Sequence, residues 1–271
     1  MTAEASTQEL PPLIGPDDPP PVSIINESGT ARLLLTGDHV SNAFPRSMNN
    51  LGLEDWVLGR HVAYDIGTHK LLNRLSQLLD APAVLAGYSR LLVDLNRSLE
   101  DPSVMPEVSD FIPIPGNQNL NRAQKALRVR SFYTPYRETI DDMLYRLRTR
   151  DRVPALIAIH SFTPVMSGKR RPWHIGILWD KDPRIPVPLI KRLRSHPENL
   201  IIGDNQPYSG KHPADYTIDH HGEAAGLPHV SVEFRQDLID TDTGAERWAS
   251  ILAEALSDIL ADPRLYRLLG I

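Results

Sequence analysis

Reactive side chains stand at the ends of three apolar runs in this chain. Leu33-Leu34-Leu35 leads into Gly37-Asp38-His39-Val40-Ser41-Asn42, Ala155-Leu156-Ile157-Ala158-Ile159 into His160-Ser161, and His229-Val230-Ser231-Val232 into Glu233-Phe234-Arg235. Short apolar runs of this kind read as buried strands, and ligands of α/β sheets sit beyond the ends of such strands. Brought to one sheet edge, His39, His160 and Glu233 form the minimum of a hydrolytic metal site. Neutral imidazoles hold a zinc-like ion, and a carboxylate handles the proton of its bound water.

Each residue also has a plainer reading. A lone histidine after a strand caps a loop or bonds a buried carbonyl more often than it binds metal. The shared placement of His39 and His160 behind strongly apolar runs favours a common ion. Glu233, between Val232 and Phe234, must be paired, metal-bound or catalytic to offset its desolvation. The plain alternative is an ion pair with Arg235 or another arginine. In so apolar a setting a glutamate holds a proton near neutral pH, as a general base requires.

Other residues can shape a substrate pocket. In Ser89-Arg90-Leu91-Leu92-Val93-Asp94-Leu95-Asn96-Arg97 an apolar run is bracketed by guanidinium groups, whose forks suit carboxylates; a surface pair of Arg90 with Asp94 or Glu100 is the alternative. His61 and Asp65 are spaced to share one helix face, as an ordinary pair or as support for a nearby metal ligand. Gln206-Pro207-Tyr208-Ser209-Gly210 reads as a turn or as a mobile lid carrying a phenol. His212, His220 and His221 read as surface or pocket-lining residues.

The elements that must position these groups follow from the pattern. Strands are expected over 31–37, 83–88, 91–95, 155–160, 174–179, 200–203 and 229–234. Helices are expected over 54–80, 122–149, 186–195, 212–225 and 243–260, the last capped at Asp242-Thr243, with Pro135 starting or kinking a helix. This alternation describes a sheet sandwiched by helices. Residues 1–22, rich in proline and aspartate, suit an extended arm outside the core. Residues 23–271 then make one domain, as 271 residues with 41% hydrophobic content permit. The stretch from Pro102 to Asn121 is too long for an ordinary connection and is a candidate active-site loop.

Composition excludes several functions. The net charge of −5 comes from mixed acidic and basic residues without a basic block, which argues against a nucleic-acid partner. The absence of cysteine removes disulfides, thiolate ligands and a cysteine nucleophile. No apolar run has a membrane-spanning length and no leader is evident, so a soluble cytoplasmic protein is expected. The oligomeric state is open.

Taken together, Asp38-His39-x-x-Asn42, His61-x-x-x-Asp65-x-Gly67, Asp94-Leu95-Asn96-Arg97, His160-Ser161-Phe162-Thr163-Pro164, Asn205-Gln206-Pro207-Tyr208 and Val232-Glu233-Phe234-Arg235-Gln236-Asp237 resemble the N-formylglutamate amidohydrolase family, over about residues 30 to 260. The resemblance implies a three-layer α/β/α domain with a mixed, largely parallel sheet, phosphorylase/hydrolase-like and related to zinc carboxypeptidases and aspartoacylase. It also implies metal-dependent cleavage of an N-acyl amino acid amide, N-formylglutamate foremost.

In zinc carboxypeptidases the chain order is a His-x-x-Glu ligand pair, a substrate-binding Asn-Arg pair, a second ligand His, a mobile Tyr and a catalytic Glu. His39 and Asn42, Asn96 and Arg97, His160, Tyr208 and Glu233 follow that succession here. Asn42 stands where those relatives have a carboxylate, so either Asn42 or Asp38 is the expected third ligand beside His39 and His160. The expected ion is divalent, zinc by preference. Arg97 with Asn96 is expected to clasp the substrate α-carboxylate, and Arg90 or Arg235 to steady the oxyanion. The rival readings are aspartoacylase-like or carboxypeptidase-like cleavage on the same scaffold, and a binding protein without catalysis.

Overall fold

The computed structural model describes residues 10–149, 152–211 and 215–270. Its strands are β1 (Val22–Ile25), β2 (Leu33–Gly37), β3 (Ala83–Ala86), β4 (Val108–Ser109), β5 (Ile112–Pro113), β6 (Ala155–Phe162), β7 (Val165–Met166), β8 (Lys169–Arg170), β9 (Ile175–Leu178), β10 (Ile202–Asp204) and β11 (His229–Arg235). Its α-helices are α1 (Asp55–Leu58), α2 (Thr68–Leu79), α3 (Arg122–Arg128), α4 (Thr134–Leu147), α5 (Pro186–Arg194) and α6 (Asp242–Ala261). A seven-stranded sheet in the order β1-β3-β2-β6-β11-β9-β10 forms the middle layer. Strands β3, β2, β6 and β11 run parallel, while β1 and β9 meet that block antiparallel. The expected mixed, largely parallel sheet is thus found.

Side chains alternate between the faces of a strand, so each apolar run feeds two cores. Leu33, Leu35, Ile157 and Ile159 pack with Leu72 of α2, Leu189 of α5 and Leu252 of α6. Leu34, Leu156 and Ala158 pack on the other face with Tyr136, Ile140 and Met143 of α4. Helices therefore cover both faces, completing three layers. Every residue of β6 is buried, as expected of a central parallel strand.

Several expected elements take another form. The segment 54–80 is divided into α1 and α2. Between them Asp65 N–H donates to the His39 carbonyl at 2.8 Å. Gly67 has φ +86, and a Cβ there would meet the Ile239 carbonyl oxygen at 2.3 Å, so the turn needs glycine. The stretch 91–95 is buried but forms turns. Its carbonyls bond side chains in place of a strand: Leu91 accepts from Asn117, Leu92 from Arg128 and Leu95 from Arg137. Burial alone had given it a strand's apolar signature.

Helix α3 continues through a π-turn at Val129–Tyr133 into α4, with Pro135 in the first turn of α4. The described part of 212–225 includes a π-turn at Ile218–Glu223. Thr241, not Asp242-Thr243, caps α6. Along the N-terminal segment, Leu13 and Ile14 pack against the α4-side core, and Tyr88 donates its hydroxyl to the Pro19 carbonyl. None of the described helices is long and apolar enough to cross a membrane.

Leu72 is fully buried where α2 meets the sheet. Leu72→Ala is expected to destabilise the protein by about 2–5 kcal/mol, through lost transfer energy and the cavity left behind. A lowered urea midpoint at unchanged m-value checks this.

Candidate functional site

Parallel pairing brings the sequence-distant groups together. Glu233 of β11 lies directly opposite His160 of β6, and Thr36 of β2 opposite Ala158, so Asp38 emerges level with His160. The period of two turns His160 and Glu233 to the face covered by α4. From α4, Tyr136 donates its hydroxyl to Asp38 Oδ1 at 2.5 Å.

Asp65 is the centre of the arrangement. Its Oδ2 lies 3.5 Å from His39 Nδ1 and 3.1 Å from His160 Nδ1, with the two rings 5.3 Å apart. Oxygen and nitrogen ligands about 2.0 Å from a tetrahedral ion stand roughly 3.3 Å from one another, so these separations suit a small cation. His39, Asp65 and His160 hold donor atoms within 4.8 Å of one another. Outside them stand further carboxylates: Asp94 Oδ1 lies 2.7 Å from His39 Nε2, and Asp38 and Asp215 lie 3.5 and 3.7 Å from His160 Nε2. A carboxylate bonded to the far nitrogen, as Asp94 is to His39, orients an imidazole toward an ion.

Asp38, His160 and Asp215 form a second set of possible ligands. In that set Asp38 already accepts the Tyr136 hydroxyl, and only one imidazole is present. The first set has two imidazoles and one carboxylate, a zinc-like composition. Buried atoms left without a hydrogen-bond partner include His39 Nδ1, Asp65 Oδ1, His160 Nε2, Asp38 Oδ2 and Glu233 Oε2. Such groups are costly unless a ligand satisfies them.

Burial raises the Glu233 carboxyl to about 7, with Asp65 and Asp215 pushing the same way against His160. Burial opposes a charge on His160, yet Asp65, Asp215 and Asp38 outweigh it and lift the imidazole to about 10. Burial would also raise Asp94, but Arg90 and His39 hold it far below the usual carboxylate range.

The remaining expected residues divide into near and far. Asn42 is exposed, and its amide donates to the Leu58 carbonyl, so it stands apart from the ligand atoms. The carboxylate between the imidazoles is Asp65, which was legible as a supporting residue only. Arg90 bonds Asp94 through Nε and Nη2 and lies 3.5 Å from Asp65 Oδ1. Arg235 is bonded to Asp237 and to the Pro172 carbonyl. Both guanidiniums have carboxylate partners in the protein.

Asn96 accepts from the Thr217 N–H, close to Asp215. Arg97 follows it, partly exposed and without an ion pair among the described residues. His61 Nδ1 lies 3.7 Å from Asp65 Oδ1. His221 is buried between Asp141 and Arg137, His220 stacks on Tyr216, and His212 lies outside the described residues.

The loop that carries Tyr208 packs closely on β9. A Cβ on Gly176 would meet the Gln206 carbonyl oxygen at 2.2 Å, so only glycine admits the loop there. Tyr208 accepts a hydrogen bond from Arg171 at 3.0 Å. Arg171 was missed because nothing in its local sequence separates it from the basic surface residues before it.

Without metal, the raised His160 imidazole ties stability to pH. A folded value above the unfolded one gives stability that is complete below about 6.5 and is lost as pH rises through about 10. Between pH 7 and 10 the metal-free protein is expected to lose up to about 1.4 kcal/mol per pH unit. Denaturant titrations in EDTA measure the slope, and His160→Gln should flatten it.

The sequence model of the N-formylglutamate amidohydrolase family matches residues 31–240. None of the curated proteins matches the chain. Among solved structures, the gene product Atu2144 from Agrobacterium tumefaciens superposes with a TM-score of 0.87 at 30% identity, covering 92% of this chain and 98% of that one. An N-formylglutamate amidohydrolase from Ralstonia eutropha JMP134 superposes with a TM-score of 0.70 at 16% identity, covering 89% and 97%. The match over residues 31–240 takes in the strand ends, the Asp65 turn and Glu233, and the chain belongs to the N-formylglutamate amidohydrolase family.

Proposed function

We propose that the protein is a metal-dependent amidohydrolase that removes a small acyl group, formyl foremost, from an acidic amino acid, with residues 23–271 working as one domain. The observation that supports this most is the convergence of His39, Asp65 and His160, whose donor atoms lie within 4.8 Å of one another, at the sheet edge where Glu233 stands opposite His160. His39, Asp65 and His160 would hold a divalent ion, zinc by its ligand types. Bound there, such an ion supplies Lewis acidity toward the scissile carbonyl and a water of lowered pKa.

The chain's own groups do the rest. Glu233 is raised by burial to about 7, which suits it to take a proton from water and return it to the leaving amine. Asp94 fixes His39 through its far nitrogen, and the charges of Asp38 and Asp215 lie near the far nitrogen of His160. Arg90 neutralises Asp94 and Asp65. Arg97 and Asn96 clasp the α-carboxylate of the substrate, and Tyr208 covers it.

Glu233→Gln is expected to retain zinc while formate release from N-formylglutamate falls about 10²–10⁴-fold. An active Glu233→Gln enzyme would remove the proposed base. Acetate or a C-terminal amino acid released in preference to formate would move the activity to N-acetyl or peptide substrates. Asp65→Ala should lose stoichiometric zinc by elemental analysis, whereas Asn42→Ala should keep it.

A further inference from the structure

Arg171 is the guanidinium that the proposed chemistry leaves unused. It follows the β7–β8 hairpin and is anchored by its own N–H to the Pro164 carbonyl at 2.8 Å. Its Nη1 donates to the Tyr208 hydroxyl at 3.0 Å, and its guanidinium carbon lies 4.8 Å from the centre of that ring and 5.8 Å from the centre of Phe162. Nη1 also donates to the Thr163 hydroxyl at 3.5 Å, and Nη2 meets the Met166 sulfur. Among the described residues no carboxylate pairs with it.

Arg171 shares that lack of an acidic partner with Arg97, whereas two other arginines named for this site are paired. Arg90 holds Asp94 and Asp65, and Arg235 holds Asp237. Arg171 is held beside the site. Its charge bears on His61, while Tyr208 is close enough to Glu233 and Asp65 to feel theirs. Stacking on two rings fixes the plane of the guanidinium, and its terminal N–H groups meet only neutral partners, a phenol, a hydroxyl and a thioether, which a planar anion can displace. The site it faces is rich in buried carboxylates, so an anionic substrate needs a fixed cation on its way in.

We infer that Arg171, presented by the β7–β8 hairpin and backed by Tyr208, binds the side-chain carboxylate of the substrate and so selects acidic over neutral N-acyl amino acids. This rests on the function proposed above, in which Arg97 and Asn96 hold the α-carboxylate. Arg171 and Arg97 then read the two carboxylates separately. Tyr208, released from Arg171 as the carboxylate arrives, keeps its ring against the guanidinium.

The test compares N-formylglutamate with N-formylglutamine, which differ by one carboxylate. In Arg171→Met the ratio of kcat/KM for the acid to that for the amide should fall at least tenfold, carried mainly by KM. Arg171→Lys should recover part of it, since a point charge replaces the fork. An unchanged ratio, with both substrates affected equally or not at all, overturns the assignment. Calorimetric titration of glutarate into the metal-free protein reads the same contact without turnover. Weakening by at least tenfold in Arg171→Met supports the assignment, and equal binding or none by the unsubstituted protein overturns it. Failure of the unsubstituted enzyme on every N-formyl amino acid would instead reject the proposed function, leaving the glutarate result to stand by itself.

Discussion

Asp65, buried between two imidazoles, is the constraint around which the rest is arranged. A carboxylate this far from water must be matched by positive charge or protons. Here His39 and His160 face its Oδ2, and Arg90 and His61 face its Oδ1. To place it there the chain abandons a continuous helix, turns through Gly67, and ties the Asp65 backbone to the His39 carbonyl. Sequence neighbours on a helix would have pointed Asp65 along a helix face. The break points it across the sheet edge, where strands β2 and β6 deliver their histidines.

The strands and the break have different physical origins, which explains what could be read in advance. The parallel block β2, β6 and β11 was legible because a strand buried on both faces is a continuous apolar run, and its register then fixes His160 against Glu233. His39, His160 and Glu233 were therefore identifiable from the chain alone. Asp65 was visible as a partner of His61 but not as the carboxylate between the two imidazoles, because that position depends on a turn that passes close to Ile239, far along the sequence.

The misread stretch 91–95 teaches the opposite lesson. An apolar run signals burial and does not specify which partners satisfy its backbone. Here Asn117, Arg128 and Arg137, all from later in the chain, supply the donors that a neighbouring strand would have given. Arg128 is buried among carbonyls, and that burial lowers it to about 10. Its role is to hold the turn that carries Asp94, Asn96 and Arg97. The long proline- and asparagine-rich loop thus serves the site from behind, by contributing Asn117 to the same brace.

Charge balance links this scaffold to the chemistry. Asp38, Asp65, Asp94, Asp215 and Glu233 cluster about the two imidazoles, with Arg90 turned toward Asp94 and Asp65. Left alone, the cluster recruits protons, and the raised His160 and Glu233 are where they go. A dication would displace the proton from His160, and its field would favour the ionised form of Glu233, the form that accepts a proton. In the function proposed above, Arg97 and Arg171 are the charges that offset this imbalance for an anionic substrate. A site built from carboxylates can admit an anion only if its entrance reverses the sign of its interior.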